Sequence, residues 1–153
     1  MPSLTRVFAF VLFGGLGYFG AEAYAPIFSQ TQFLGRFSLY VSAITAAMAW
    51  AYLGGQVGRG WLMSAYMGVQ TVVLSAIITA GIFAFVRVWV QGYRQRYGGD
   101  LQRAFESYFD YMFGYLRQTL ILDPLVWILL AGAILGVGLQ YVFTLLERRR
   151  LAR

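Results

Sequence analysis

The sequence predicts an all-α membrane protein: four transmembrane helices, with one amphipathic interfacial helix between spans three and four. Three observations lead there. Of the 153 residues, 59% are hydrophobic and only 12% are charged, against ~25% charged in a soluble domain. Mean hydropathy is +0.63. Apolar runs of bilayer length, which takes ~20 residues, recur four times along the chain. A soluble domain of this length would lack the polar surface to cover its core.

The first run, 4–27, begins like a signal peptide, with Arg6 ahead of the apolar stretch and small residues in AEAYA. Its length suffices to span, and Pro26 would follow the cut, so it is read as an uncleaved span ending near Pro26. The second run, 38–56, carries Ala43, Ala47, Ala51 and Gly55 at every fourth position. That stripe lets another backbone approach one helix face closely. The glycine-rich GGQVGRG of 54–60 lacks the preceding strand and the Lys-Ser/Thr of a phosphate loop. It is read as a tight turn with Arg59 at the interface.

The third run, 61–90, exceeds one bilayer thickness and must tilt or protrude. Ala76, Ala80 and Ala84 form a second small stripe, and Arg87, Arg94 and Arg96 mark the far end beside Trp89, Tyr93 and Tyr97. GGD at 98–100 breaks the chain, with Asp100 as an N-cap. Leu101, Ala104, Phe105, Tyr108, Phe109, Met112, Phe113 and Leu116 then follow helical spacing, opposite Gln102, Arg103, Glu106, Ser107, Asp110 and Arg117. Four charges are too many for an unpartnered span. The helix of 100–118 therefore lies in the interface or packs on top of the bundle, with Phe and Met towards lipid or the bundle. The last span, 124–146, opens with Asp123 as N-cap and Pro124 at the first helical position. It carries the close-packing pair Gly132 and Gly136, and a basic tail, 147–153, follows it. The whole chain is one integral membrane domain.

Function classes narrow by what the chain lacks. It has no Cys, which excludes disulfides and thiolate metal sites, and no His, the commonest general base and metal ligand. No catalytic, cofactor-binding or metal-ligating residue is assigned, and no cofactor is expected. Glu106 and Asp110 share a helix face four residues apart, as a carboxylate dyad would, but a solvated face beside Arg103 explains them equally well. The net charge of +6 comes from Arg alone, a usage that fits a GC-rich bacterial genome. These Arg residues sit at the ends of apolar runs, where they meet lipid phosphates, and not in the solvated patch that nucleic acid needs. The expected partner is the bilayer, with Arg87, Arg94 and Arg96 as lipid or anion contacts.

Four spans place both termini on one side. Arg6, Arg59, Arg148, Arg149, Arg150 and Arg153 would lie with the termini, and Arg36, Arg87, Arg94, Arg96, Arg103 and Arg117 opposite, an even split. The dense tail favours cytoplasmic termini, because the loop Arg residues sit among acids. Glu22 and Arg87 end spans that run in the same direction, so both reach one membrane face and are expected to form an intramembrane ion pair. Gln70 and Thr71 are read as bonding across helices or to backbone.

Several short features in order resemble the TrgA family, small multi-pass membrane proteins of alphaproteobacteria associated with tellurite resistance. They are GYFGAEAYAP (17–26), GRG (58–60), RYGG (96–99), and LDP (122–124) before the last span, with the basic tail after it. Asp123 and Pro124 are adjacent where the family pattern leads one to expect a residue between them, and the aromatic content is high. The resemblance implies a bacterial inner-membrane protein that is not an enzyme, and a phenotype rather than a chemistry. The alternative expectation is a structural accessory subunit of a photosynthetic or respiratory membrane complex, held by other subunits or by self-association.

Overall fold

The computed structural model describes residues 2–26, 36–56, 58, 60–93 and 100–151, and these are almost entirely helical. The helices are α1 (Pro2–Tyr24), α2 (Phe37–Ala51), α3 (Trp61–Tyr93), α4 (Leu101–Thr119) and α5 (Leu122–Leu151). A 3₁₀ turn, Leu53–Gly55, follows α2. Among the described residues, four segments are long and apolar enough to cross a membrane: Leu4–Tyr24, Phe37–Gly55, Trp61–Gly92 and Asp123–Glu147. The four-span reading with a separate amphipathic helix therefore holds.

The boundaries moved for local reasons. Helix α1 stops at Tyr24, short of the predicted 27, and residue 27 lies outside the described residues. The regular helix of span two ends at Ala51, and the 3₁₀ turn supplies the rest of its length. Helix α3 has 33 residues, which at 1.5 Å per residue is about 50 Å, so it must tilt in, or protrude beyond, a ~30 Å hydrocarbon layer. Asp123 is not the cap of α5. The Leu125 amide donates to the Ile121 carbonyl at 3.3 Å, so the helix begins one residue earlier than Asp123. Asp123 sits in the first turn, where a carboxylate complements the helix dipole. Pro124 is tolerated there because the first helical N–H groups have no partner within the helix. At the far end α5 continues as helix into the predicted tail, to Leu151.

Around the bundle the neighbours run α1, α2, α3, α5 and back to α1, and α4 lies outside on α3. Close backbone approach fixes two of these contacts. A Cβ on Gly17 would stand 2.8 Å from Thr45, and the Ser42 hydroxyl donates to the Gly14 carbonyl at 2.7 Å, joining α1 to α2. Between α3 and α5 the Gly132–Gly136 pair meets Gly68 and Ser64 so closely that a Cβ on Gly68 would run into the Gly132 carbonyl. This is the close packing expected of that pair.

The core has two clusters. One holds Phe13, Leu53, Met67 and Leu139 at the end of the bundle nearer the termini. The other holds Tyr24, Ala80, Phe83, Ala84 and Tyr115 at the end nearer α4. Above the first cluster, buried Gln140 accepts through Oε1 from the Ser64 hydroxyl at 2.9 Å and from the Gly58 amide at 2.8 Å. Gly58 and Gly60 have φ of 111° and 120°, a conformation glycine adopts without strain. The turn reading of 54–60 fits those positions, while Arg59 lies outside the described residues.

Candidate functional site

The end of the bundle covered by α4 gathers the polar and aromatic groups that the sequence singles out. Asp100 caps α4 as expected, accepting through Oδ1 from the amides of Gln102 at 3.1 Å and Arg103 at 3.4 Å. From that start the helix sorts its aromatic rings. Tyr108, Tyr111, Met112 and Tyr115 turn to the bundle, and Tyr115 is buried. Phe105, Phe109 and Phe113 turn outward at 65, 47 and 60% exposure, and Phe109 and Phe113 stack. The exposed Arg103, Glu106, Asp110 and Arg117 form the third face. A helix with a protein face, an apolar flank and a charged flank suits the boundary between hydrocarbon and water.

Tyr108, Tyr111 and Tyr115 of α4 meet Gly81, Gln91 and Arg87 of α3. Arg87 donates through Nη1 to the Tyr115 hydroxyl at 3.0 Å, and its guanidinium carbon lies 4.5 Å from the centre of the Tyr111 ring. The Gln91 side-chain amide bonds the Tyr111 hydroxyl at 2.9 Å. The Tyr24 hydroxyl of α1 donates to the Thr119 carbonyl at 2.8 Å, at the last turn of α4. Two cationic or amide groups of α3 and one phenol of α1 therefore hold the amphipathic helix down.

Glu22 and Arg87 do not form the expected ion pair. Among the described residues the one side-chain ion pair is Arg103 with Asp100, at 3.2 Å. Glu22 accepts from the Ser38 hydroxyl at the start of α2, whereas Arg87 belongs to the contact with α4. The reason is topological: α1 packs along α2 and α5, not along α3. The two residues reach one end of the bundle on opposite corners. Arg94 and Arg96, the other expected lipid or anion contacts, lie outside the described residues.

The small-residue stripes also divide. Gly132 and Gly136 pack inside the chain. Ala43, Ala47, Ala51 and Gly55 are all exposed, because α2 turns Thr45, Ala46 and Ala49 inward instead. Among the described residues, Arg6 of α1 reaches Gly55, and Ala43, Ala47 and Ala51 stay exposed. Ala76 and Ala80 of α3 serve another purpose. They line a cavity of about 390 Å³ between the two core clusters.

That cavity is the feature the sequence did not announce. Its walls come from all five helices, among them Gly17, Gly20 and Ala21 on α1 and Ser75, Ala76, Thr79 and Ala80 on α3. The hydroxyls of Thr45 and Ser75 bond backbone carbonyls of their own helices, at 2.8 and 2.7 Å. Thr79 Oγ1 is buried with no partner. Ala and Gly placed opposite one another signal close packing when the helices touch, and a space when they do not. Sequence alone cannot separate the two. The helical spacing of α4 put Phe105, Tyr108, Phe109, Met112 and Phe113 on one apolar face; the structure divides that face, turning Tyr108 and Met112 to the bundle with Tyr111 and Tyr115, and the phenylalanines outward. The partners Gln91, Ser38 and Gln140 carried no signal of their own.

Glu106 accepts from the Gln102 side chain at 3.2 Å, and both Glu106 and Asp110 are exposed. This is the geometry of a solvated helix face. No family model, curated protein or solved structure matches the chain.

Proposed function

We propose that this chain is a TrgA-like, non-catalytic protein of the bacterial inner membrane, with both termini in the cytoplasm, that contributes to tellurite tolerance. One observation carries most weight. One segment that bears the resemblance bonds the last turn of α4, the helix that leads into another such segment. Tyr24 of GYFGAEAYAP bonds Thr119, three residues before Leu122, Asp123 and Pro124. RYGG lies between the end of α3 and the Asp100 cap of α4, outside the described residues. A contact that ties GYFGAEAYAP to the residues just before LDP fits a shared role of that end of the molecule. Arg87, partly buried at the same end, is a cation of the kind that suits lipid phosphates or an oxyanion. Growth on potassium tellurite tests the reading. A deletion strain should lose tolerance, the wild-type gene should restore it, and Tyr24→Phe or Arg87→Ala should restore it only in part. Full tolerance of the deletion strain would sink the proposal.

A second reading, a structural accessory subunit of a larger membrane complex, draws on a different observation. The outward small-residue stripe of α2 and the outward phenylalanine row of α4 both face away from this chain. Native pull-down in mild detergent separates the readings. Stoichiometric recovery with an energy-transducing complex supports the subunit, and recovery alone supports an autonomous protein.

A further inference from the structure

We propose that the cavity between α1, α3 and α5 is a binding site for one hydrocarbon tail of a membrane lipid, which enters sideways from the bilayer beside the α4–α5 connection. The size fits: about 390 Å³ falls within the ~300–1,000 Å³ of small-ligand sites. The lining fits as well, since its polar contributions are few and those of Thr45 and Ser75 are turned to backbone. An apolar space of this kind takes up hydrocarbon in preference to water, and the walls regain the dispersion contacts they otherwise lack.

The geometry also gives a route. Helices α3 and α5 touch backbone to backbone at Gly68, Gly132 and Gly136, and the cavity begins just past that contact, at Val72. Three of its lining residues are exposed: Val73 and Ile77 on α3, and Leu120 at the end of α4, at 43, 43 and 65%. They mark the side on which it opens. All three are apolar, so the opening faces hydrocarbon. Ala21 on the opposite wall, and Ala80 further along α3 from the opening, are buried at 3 and 4%, and the Tyr24, Tyr115 and Thr119 contacts close the end beneath α4. A single chain can pass the opening, while its headgroup stays outside at the level of α4. The proposal stands apart from any role in tellurite tolerance.

The test is photolabelling of the full chain in vesicles of phosphatidylethanolamine and phosphatidylglycerol. The probe is a trace of phosphatidylcholine bearing a diazirine in one acyl chain, and labelled residues are read by mass spectrometry. The expected result is label on Ala21 and Ala80, which bulk lipid outside the bundle cannot reach, as well as on Phe19, which is 74% exposed. Ala76→Phe should abolish label at Ala21 and Ala80 and leave Phe19 unchanged. Ala80→Leu serves the same purpose if Ala76→Phe does not fold. Label confined to outward residues in the wild type would overturn the proposal, as would unchanged label at Ala21 in a folded, filled variant.

Discussion

Arg87 on α3 meets Tyr115 on α4 through a 3.0 Å hydrogen bond from Nη1 to the phenol oxygen, with the Tyr111 ring beneath the same guanidinium at 4.5 Å. The sequence had paired this cation with a carboxylate. The structure gives it two phenols instead, and so turns the end of an overlong span into the anchor of an interfacial helix.

Removing the anchor should loosen α4 and little else. A hydrogen bond to a charged group contributes ~1.5–3 kcal/mol and a cation–π contact ~0.5–2 kcal/mol; at this partly exposed site about 2 kcal/mol in total is expected. Arg87→Ala should therefore speed amide exchange across Leu101–Thr119 by about one to two powers of ten, with α1 and α5 unchanged. Protection of α4 equal to wild type would show that Tyr108, Met112 and Tyr115 hold the helix by packing alone.

Glycine positions separate by what a methyl group would meet. At Gly68 it would collide with the Gly132 carbonyl, and at Gly15 there is nothing within 4 Å. Gly68→Ala should lower the thermal midpoint in detergent, by overpacking that costs ~1–3 kcal/mol or more. Gly15→Ala should be neutral or slightly stabilising, since glycine inside a helix costs ~0.5–1 kcal/mol relative to alanine. Equal midpoints for both variants would contradict the α3–α5 contact.

The difference between these glycines shows where sequence reading succeeds. Gly132 and Gly136 announce a close contact by their spacing, and the contact exists. Ala43, Ala47, Ala51 and Gly55 announce one equally well, yet face outward, because spacing defines a helix face but not its neighbour. The Asp100 cap and the division of α4 into an apolar and a charged face are local properties and were legible, whereas the parting of its tyrosines from its phenylalanines depends on where α3 lies. The Arg87–Tyr115 contact, the Ser64–Gln140 pair and the cavity depend on which helices adjoin, and the periodicity of one helix carries no such information.

The α2 stripe gives a prediction of its own. Ala47 is exposed, so Ala47→Leu should leave the thermal midpoint of the isolated protein within about 0.5 kcal/mol of wild type. The same change should weaken any partner or self-contact made through the stripe, read as lost recovery in native pull-down or lost dimer in cross-linking. A large drop in midpoint would show that the stripe packs within the chain.

The Asp100 cap can be isolated from the anchor. Asp100→Ala should cost about 1 kcal/mol and raise amide exchange in the first turn of α4, while residues 108–119 keep their protection through Arg87, Gln91 and Tyr24. Asp100→Asn keeps an acceptor and should behave like wild type. If Asp100→Ala instead releases the whole helix, capping and docking form one cooperative unit.

Orientation is testable because the chain has no cysteine of its own. Gln118 lies exposed on α4 and Glu147 lies exposed near the end of α5, at opposite ends of the bundle. With cytoplasmic termini, a membrane-impermeant maleimide added to intact spheroplasts should label Gln118→Cys and spare Glu147→Cys until the cells are broken. The arginines divide evenly between the two faces, so the argument for this orientation rests on the cluster at 148–153 outweighing arginines that share their face with Asp100, Glu106 and Asp110. Labelling of Glu147→Cys in intact spheroplasts would reverse it. Helix α4 and the Arg87 anchor would then face the cytoplasm, and any contact with an external oxyanion would have to be sought at the other end of the molecule.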